Sequence, residues 1–264
     1  MKLAWATDIH FDHARIAAAN IFMAAVKESD CDALVITGDI SVAHLLEGHL
    51  GLLTTIGKPV YFVLGNHDYC GSSIQYVQET TRKVAKKYKN LTWLTESKIV
   101  NLTEKSCLIG HDSWADGRFG NTTKWWVDML EYRYTSDFMG LDHYGILRVL
   151  NRLGDEAALQ LSIKAENATK KYDTIYVATH TPPFIEATWH MGLHSDNAHL
   201  PHFACKAVGE ALVKVMKKHT DKKMIILCGH THGGGHAEIL PNLIVETGPA
   251  EYKSPVMGPI FDID

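Results

Sequence analysis

Short aliphatic runs of strand length recur along the chain, and a polar fragment stands where each one stops. The run from Leu3 to Thr7 leads into Asp8-Ile9-His10, and that from Ala33 to Thr37 into Gly38-Asp39. Val60 to Leu64 leads into Gly65-Asn66-His67-Asp68, Thr174 to Thr179 into His180, and Met224 to Cys228 into Gly229-His230-Thr231-His232. Runs without polar alternation predict parallel strands covered on both faces, and ligands of such sheets gather at the strands' carboxyl ends. Polar fragments far apart in sequence are therefore expected to meet in space.

Between the runs lie helical patterns. A helix is expected over 13–28 with an apolar stripe of Ile16, Ala19, Met23 and Ala24. A second, near 42–56, has Ser41 as its expected N-cap and ends at Gly57, with Pro59 following. A third is expected near 72–89, after the strand at 59–64. This βαβαβ order implies a parallel sheet layered with helices. Short strands follow at 91–94, 98–103 and 105–110, the last two pairing antiparallel about a turn at Glu104-Lys105. Residues 111–170 read as mostly helical and rich in aromatics, and 181–202 as a histidine-rich loop. A helix at 204–219, strands at 223–228 and 243–247, and an irregular tail with Pro249, Pro255 and Pro259 complete the expectation. The whole, 1–264, is expected to form one α/β domain with a helical insertion at about 111–170.

Composition narrows the class. With 264 residues, 46% of them hydrophobic, the chain can bury a large core without staples. A net charge of -4 marks no polyanionic partner, and no stretch is apolar for the ~20 residues a membrane-spanning helix needs. The basic stretches at Arg82–Lys89 and Lys214–Lys223 read as solvated helix faces, without the interleaved aromatics of a nucleic-acid surface. A candidate ligand at Asp8 directly follows the first strand, so a cleaved leader would remove the site; a cytoplasmic location is expected. The five cysteines include no CxxC pair, which argues against a disulfide framework or thiolate zinc site. Cys107 and Cys228 fall inside apolar runs and read as core; Cys70, beside the third fragment, is a core residue or a redox group.

The strand-end residues make a donor set. Asp8 and His10 are two apart, as are His230 and His232, and at a strand end such pairs point to one side. With Asp39, Asn66 and His180 the set holds two carboxylates, one amide and four imidazoles. That exceeds one four-coordinate ion and suits two ions about 3.5–4 Å apart sharing a carboxylate. Oxygens and imidazoles without thiolate suit manganese, iron, zinc or cobalt. Singly, each fragment is weak, since Gly-Asp and Gly-Asn after a strand are ordinary turns. Their conjunction, in order and each after an apolar run, is what points to a metal site.

The order Asp-x-His, Gly-Asp, Gly-Asn-His-Asp, His, Gly-His-x-His resembles the calcineurin-like metallophosphoesterase superfamily over residues 8–232. The resemblance implies a four-layer fold of two mixed sheets sandwiched between helices. It implies two divalent ions (Mn, Fe, Zn, Co or Ni), one on Asp8, His10, Asp39 and His232, the other on Asp39, Asn66, His180 and His230. It makes His67 the general acid or transition-state stabiliser, with Asp68 orienting its ring. The implied reaction is hydrolysis of a phosphomonoester or phosphodiester by a metal-bridging hydroxide; the alternative is a non-catalytic scaffold or binding protein on the same fold. Ile40-Ser41-Val42 after Asp39 lacks the arginine of the Ser/Thr protein phosphatases and the tyrosine ligand of the purple acid phosphatases.

Substrate contacts are expected from the loop after strand 105–110. Asp112, Trp114 and Arg118 are its candidates, Arg118 as a phosphate clamp or else a surface ion pair with Asp116. Trp114, Trp125 and Trp126 either stack a base or fill the core, and His190, His194, His199 and His202 either rim the site or face solvent. The expected partner is a small phosphorylated compound such as a nucleotide.

Overall fold

The computed structural model describes residues 1–122, 127 and 129–264. Chain order begins with β1 (Lys2–Ala6), α1 (Ile16–Glu28), β2 (Ala33–Thr37), α2 (Ala43–Leu53), β3 (Val60–Val63), α3 (Ile74–Lys87), β4 (Leu91–Trp93), β5 (Val100–Asn101) and β6 (Ser106–His111). It continues with α4 (Leu130–Tyr134), α5 (His143–Ala168), β7 (Thr174–Thr179), β8 (Trp189–His190), β9 (Leu193–His194), α6 (Leu200–Phe203) and α7 (Lys206–Lys218). The last elements are β10 (Lys223–Cys228), β11 (Gly235–Leu240), β12 (Leu243–Thr247) and β13 (Ile260–Asp262).

Two mixed sheets lie between helices. One has the order β13-β1-β2-β3-β4, parallel except for β13; the other has β11-β12-β10-β7-β6-β5, with β11 and β5 antiparallel at its edges. Alternate residues of each strand enter different cores. Leu3, Trp5 and Val35 of the first sheet meet Leu108, Tyr176 and Leu227 of the second between the sheets. Ala4, Leu34 and Ile36 face the other way, onto Phe22, Val26 and Leu50 of α1 and α2. Ile109, Val177 and Ile226 likewise pack on Leu161 of α5 and Leu212 of α7. β1, β2, β3, β7 and β10 are thus covered on both faces along most of their length, which is why their sequences are nearly continuous apolar runs.

Several local expectations need correction. Ile16 is 82% exposed, and α1 instead buries Ala19, Phe22, Met23 and Val26. Ser41 does not cap α2: Val42 occupies that position, and the Ser41 hydroxyl pairs with His49 Nδ1 at 2.7 Å. The tail is not wholly irregular, because β13 returns to pair with β1 and close the first sheet's edge. Within the segment 111–170, α5 forms the outer layer of the second sheet with α7. The histidine-rich loop contains a hairpin, β8–β9, turned by Met191 and Gly192, both at positive φ. Among the described residues no helix is long and apolar enough to cross a membrane.

Candidate metal centre

The candidate ligands leave the strands just past their ends. Asp8 and His10 follow β1, Asp39 follows β2, Asn66 follows β3, His180 follows β7, and His230 and His232 follow β10. Backbone pairing continues beyond the sheets and fixes these loops to one another: Asp8 N–H donates to Gly38 O at 3.0 Å, His10 N–H to Asp39 O at 3.0 Å, and Gly229 N–H to His180 O at 2.9 Å.

The expected reason for pairing Asp8 with His10 and His230 with His232 was strand alternation, but neither pair lies in a strand. Asp8, His10, Asp39, His230 and His232 all have positive φ, between 38° and 71°. Left-handed backbone turns these side chains to one side, at a conformational cost that the surrounding structure must hold. Glycine allows the close approach: a Cβ at Gly65 would collide with the Asp39 carboxylate, and one at Gly229 with Asp8.

The side chains converge in three overlapping groups: Asp8 with His10 and His232; His10 with Asp39 and His67; and Asp39 with His180 and His230. Within each, the donor atoms lie within 4.8 Å of one another. His10 Nε2 is 3.4 Å from His232 Nε2 and 3.7 Å from Asp39, whose other oxygen is 3.4 Å from His180 Nε2. Asn66 Oδ1 is 2.8 Å from that same nitrogen, and His230 Nδ1 is 3.2 Å from it. Asp39 therefore faces both clusters. Outer hydrogen bonds aim the rings, since His180 Nδ1 points at Thr37 O at 2.9 Å and His230 Nε2 at His202 O at 2.9 Å. Nitrogens and oxygens turned toward common points suit cations, and the set fits two divalent ions sharing Asp39.

Burial and charge set the electrostatics. Burial pushes Asp39 up, but the charges of His180, His67 and His10 outweigh it and hold the carboxyl well below its usual range. Burial lowers His10 to about 4 despite Asp39 and Asp8. Burial and the neighbouring His180 charge lower His230 to about 3. Both rings thus offer a lone pair at neutral pH, as ligation requires. For His180 burial is overcome by Asp39 and Asp8, which raise it to about 10.

His67 stands edge-on to His10, with ring centroids 4.9 Å apart, and its backbone N–H donates to Asp39 at 2.9 Å. Asp68 is bound to the backbone of the neighbouring loops. Its Oδ1 accepts from Ile40 and Ser41 N–H at 3.0 and 2.7 Å, and its Oδ2 from Gly65 N–H at 2.8 Å. It ties the loops after β2 and β3 together.

The structure does not bring Asp112, Trp114 or Arg118 to the cavity. Asp112 is 3% exposed and accepts from Leu64 N–H, Trp93 Nε1, Thr95 Oγ1 and Tyr69 OH. Trp114 is core, against Tyr69 and Phe138. Arg118 is held by Asp116 at 3.1 Å and Asp155 at 2.8 Å. Trp125 and Trp126 lie outside the described residues. Cys70 is buried, and burial pushes its thiol up to about 12, away from the thiolate form. Of the loop histidines, His190 borders the cavity and bonds Thr231 O at 3.0 Å, whereas His199 pairs with Asp196.

A cavity of about 250 Å³ opens over Asp39, Asn66, His67, His230 and His232. Its other walls include Glu131, Phe203 and Tyr252, none of which directly follows a strand run, so no local pattern singled them out. Tyr252 lies 4.5 Å from the His10 ring and 4.9 Å from the His232 ring. Glu131 is buried and raised to about 7, by burial first. A larger groove of about 670 Å³ between α5 and α7 is lined by Leu159, Ile163 and Lys214; none of the three groups that could hold a metal among the described residues lies in it.

The fold and the donor set at its strand ends suit a metal-dependent phosphoesterase. The chain belongs to the calcineurin-like phosphoesterase family, whose signature matches residues 1–234. Its fold is similar to that of a dimetal phosphatase from Danio rerio, with a TM-score of 0.60 and 13% identity over 94% of this chain and 86% of that one. It is also similar to TT1561 of Thermus thermophilus, with a TM-score of 0.56 and 16% identity over 94% and 88% of the two chains. GAP50, the anchor in the inner membrane complex of Plasmodium, aligns with a TM-score of 0.53 and 14% identity over 94% and 70%. No curated protein matches the sequence at a significant level.

Proposed function

We propose that the protein hydrolyses phosphate esters at a pair of divalent ions, one held by Asp8, His10, Asp39 and His232 and the other by Asp39, Asn66, His180 and His230. The observation that carries this reading is the position of Asp39, with one oxygen toward His10 and the other toward His180. The chemistry such a pair supplies when bound is neutralisation of phosphate oxygens and acidification of water.

The chain's own residues supply orientation and a proton. Asp39 anchors the His67 backbone, and the His67 ring borders the cavity, where it can protonate the departing ester oxygen. Asp68 keeps the Asp39 and Asn66 loops in register through its three backbone contacts. His202 and Thr37 carbonyls hold the ligand rings in one tautomer. The Danio rerio neighbour, a dimetal phosphatase, accords with this reading. The Plasmodium anchor shows that the fold also serves a structural role, and fold alone does not decide between them. The complete donor set with His67 favours hydrolysis. Purified protein supplemented in turn with Mn²⁺, Ni²⁺, Co²⁺ and Zn²⁺ should turn over p-nitrophenyl phosphate or bis-p-nitrophenyl phosphate. No turnover of either ester with any of these ions would overturn the proposal.

A further inference from the structure

The groove between α5 and α7 exceeds the cavity over the strand ends in volume, about 670 Å³ against about 250 Å³. Its two walls run in the same direction. Asp155, midway along α5, is joined to the start of α7 through Arg118 and Asp116, while Glu166 near the end of α5 pairs with Lys218 at the end of α7. α5 turns Ala157, Leu161 and Ala165 into the core beneath it. Leu159 and Ile163, one turn apart, lie off that face and are 63% and 53% exposed. A surface helix ordinarily carries polar residues at such positions. Opposite them the α7 wall has Ala207 and Ala211, also one turn apart. One face therefore presents an aliphatic ridge and, beside it, a channel floored by small side chains at the same spacing.

Charge divides between the walls as well. The α5 side of the groove has Asp155 and Glu166 with no basic residue, and the α7 side has Lys214 and Lys218 with one acid, Glu210. Glu166 is shared with Lys218 within the chain, whereas Lys214 joins no ion pair among the described residues.

We infer that this face docks a second copy of the chain, about a two-fold axis that runs along the groove and lays α5 of each protomer over α7 of the other. An isologous interface requires a patch complementary to itself. An axis along the groove exchanges the two walls and keeps their direction. The Leu159–Ile163 ridge of one protomer then falls on the Ala207–Ala211 channel of its partner, ridge into groove, and each acidic wall meets a basic one. An axis across the groove would instead set ridge on ridge and acid on acid. A copy of this chain supplies ridge, channel and both charged walls at once, which singles it out over an unrelated helix. Pairing also removes from water the two aliphatic side chains that each protomer leaves exposed.

The test is sedimentation equilibrium of the full chain from about 1 µM to 1 mM, a range that spans weak to moderate association. The molar mass should rise from one chain toward two. Leu159→Glu and Ile163→Glu change exposed positions and should leave the circular dichroism spectrum and Tm close to wild type, yet each should weaken association by about tenfold or more. Lys214→Glu sets a carboxylate near the partner's Glu166, and Glu166→Lys sets an ammonium near the partner's Lys214. Each variant alone should associate several-fold more weakly than wild type, because the like charges meet twice in its homodimer. An equimolar mixture should recover association, because in the mixed dimer both meetings are between opposite charges. A wild-type chain that stays monomeric throughout the range would overturn the inference. So would association unmoved by Leu159→Glu and Ile163→Glu, or a mixture that associates no better than either charge variant alone.

Discussion

The ligand half of the centre and the cleft half are assembled by different rules. Each candidate ligand sits within a few residues of a strand end, so Asp8, Asp39, Asn66, His180 and His230 are placed by the same parallel pairing that builds the sheets. The cleft walls come from a short helix, α4, from the end of α6, and from the segment after β12, brought together only by tertiary packing. The first half is strained backbone held by glycine contacts and shared hydrogen bonds. The second is an arrangement of rings and one carboxyl on connecting segments. Metal binding and the reaction should therefore respond to the first, and choice of ester to the second.

Four substitutions sharpen or break that division. The largest effect should come from Asp39→Asn, which weakens the donor facing both clusters. Metal analysis should show fewer than two ions per chain, and turnover should fall by roughly 10³-fold or more. Full loading in this variant would break the assignment of a shared ligand. His67→Ala should cost about 10²- to 10⁴-fold in kcat while metal content stays at the wild-type level; loss of metal would place His67 among the ligands. Asp112→Ala belongs to neither half. It orphans donors on Leu64, Trp93, Thr95 and Tyr69, and should lower unfolding free energy in urea by about 3 kcal/mol or more with KM little changed. A selective rise in KM at wild-type stability would return it to the substrate site.

Glu131→Gln should give the smallest effect and one that depends on pH. In the unfolded chain Glu131 loses its proton near 4.5, and in the fold at about 7, so between these values the folded state binds more protons. Wild-type stability then falls as pH rises through this window, and the full cost is present above it. The stability of Glu131→Gln relative to wild type, measured in metal-free protein, should grow across that window by up to about 3 kcal/mol and then level off. A difference independent of pH would show that the carboxyl is not desolvated by its place in the wall.

What could be read in advance follows the same division. Apolar runs ending in Asp, His and Asn are local patterns, and they located the sheets and drew the seven candidate ligands to one place. The geometry behind Asp8-x-His10 and His230-x-His232 was misread, because positive φ in a non-glycine residue leaves no trace in hydrophobic periodicity. Asp112 and Trp114 also follow a strand, yet the polar network at Leu64 and Thr95 and the rings of Tyr69 and Phe138 turn them inward. Glu131 and Tyr252 have no adjacent motif at all. Their roles exist only once α4 and the C-terminal segment are laid against the strand ends, so no local spacing could mark them.

The proposed chemistry depends on two ions sharing Asp39. Anomalous diffraction from crystals grown with Mn²⁺ tests this directly. It should show two peaks, one among Asp8, His10, Asp39 and His232 and one among Asp39, Asn66, His180 and His230. A single peak under saturating metal, or two peaks of which only one touches Asp39, would contradict it.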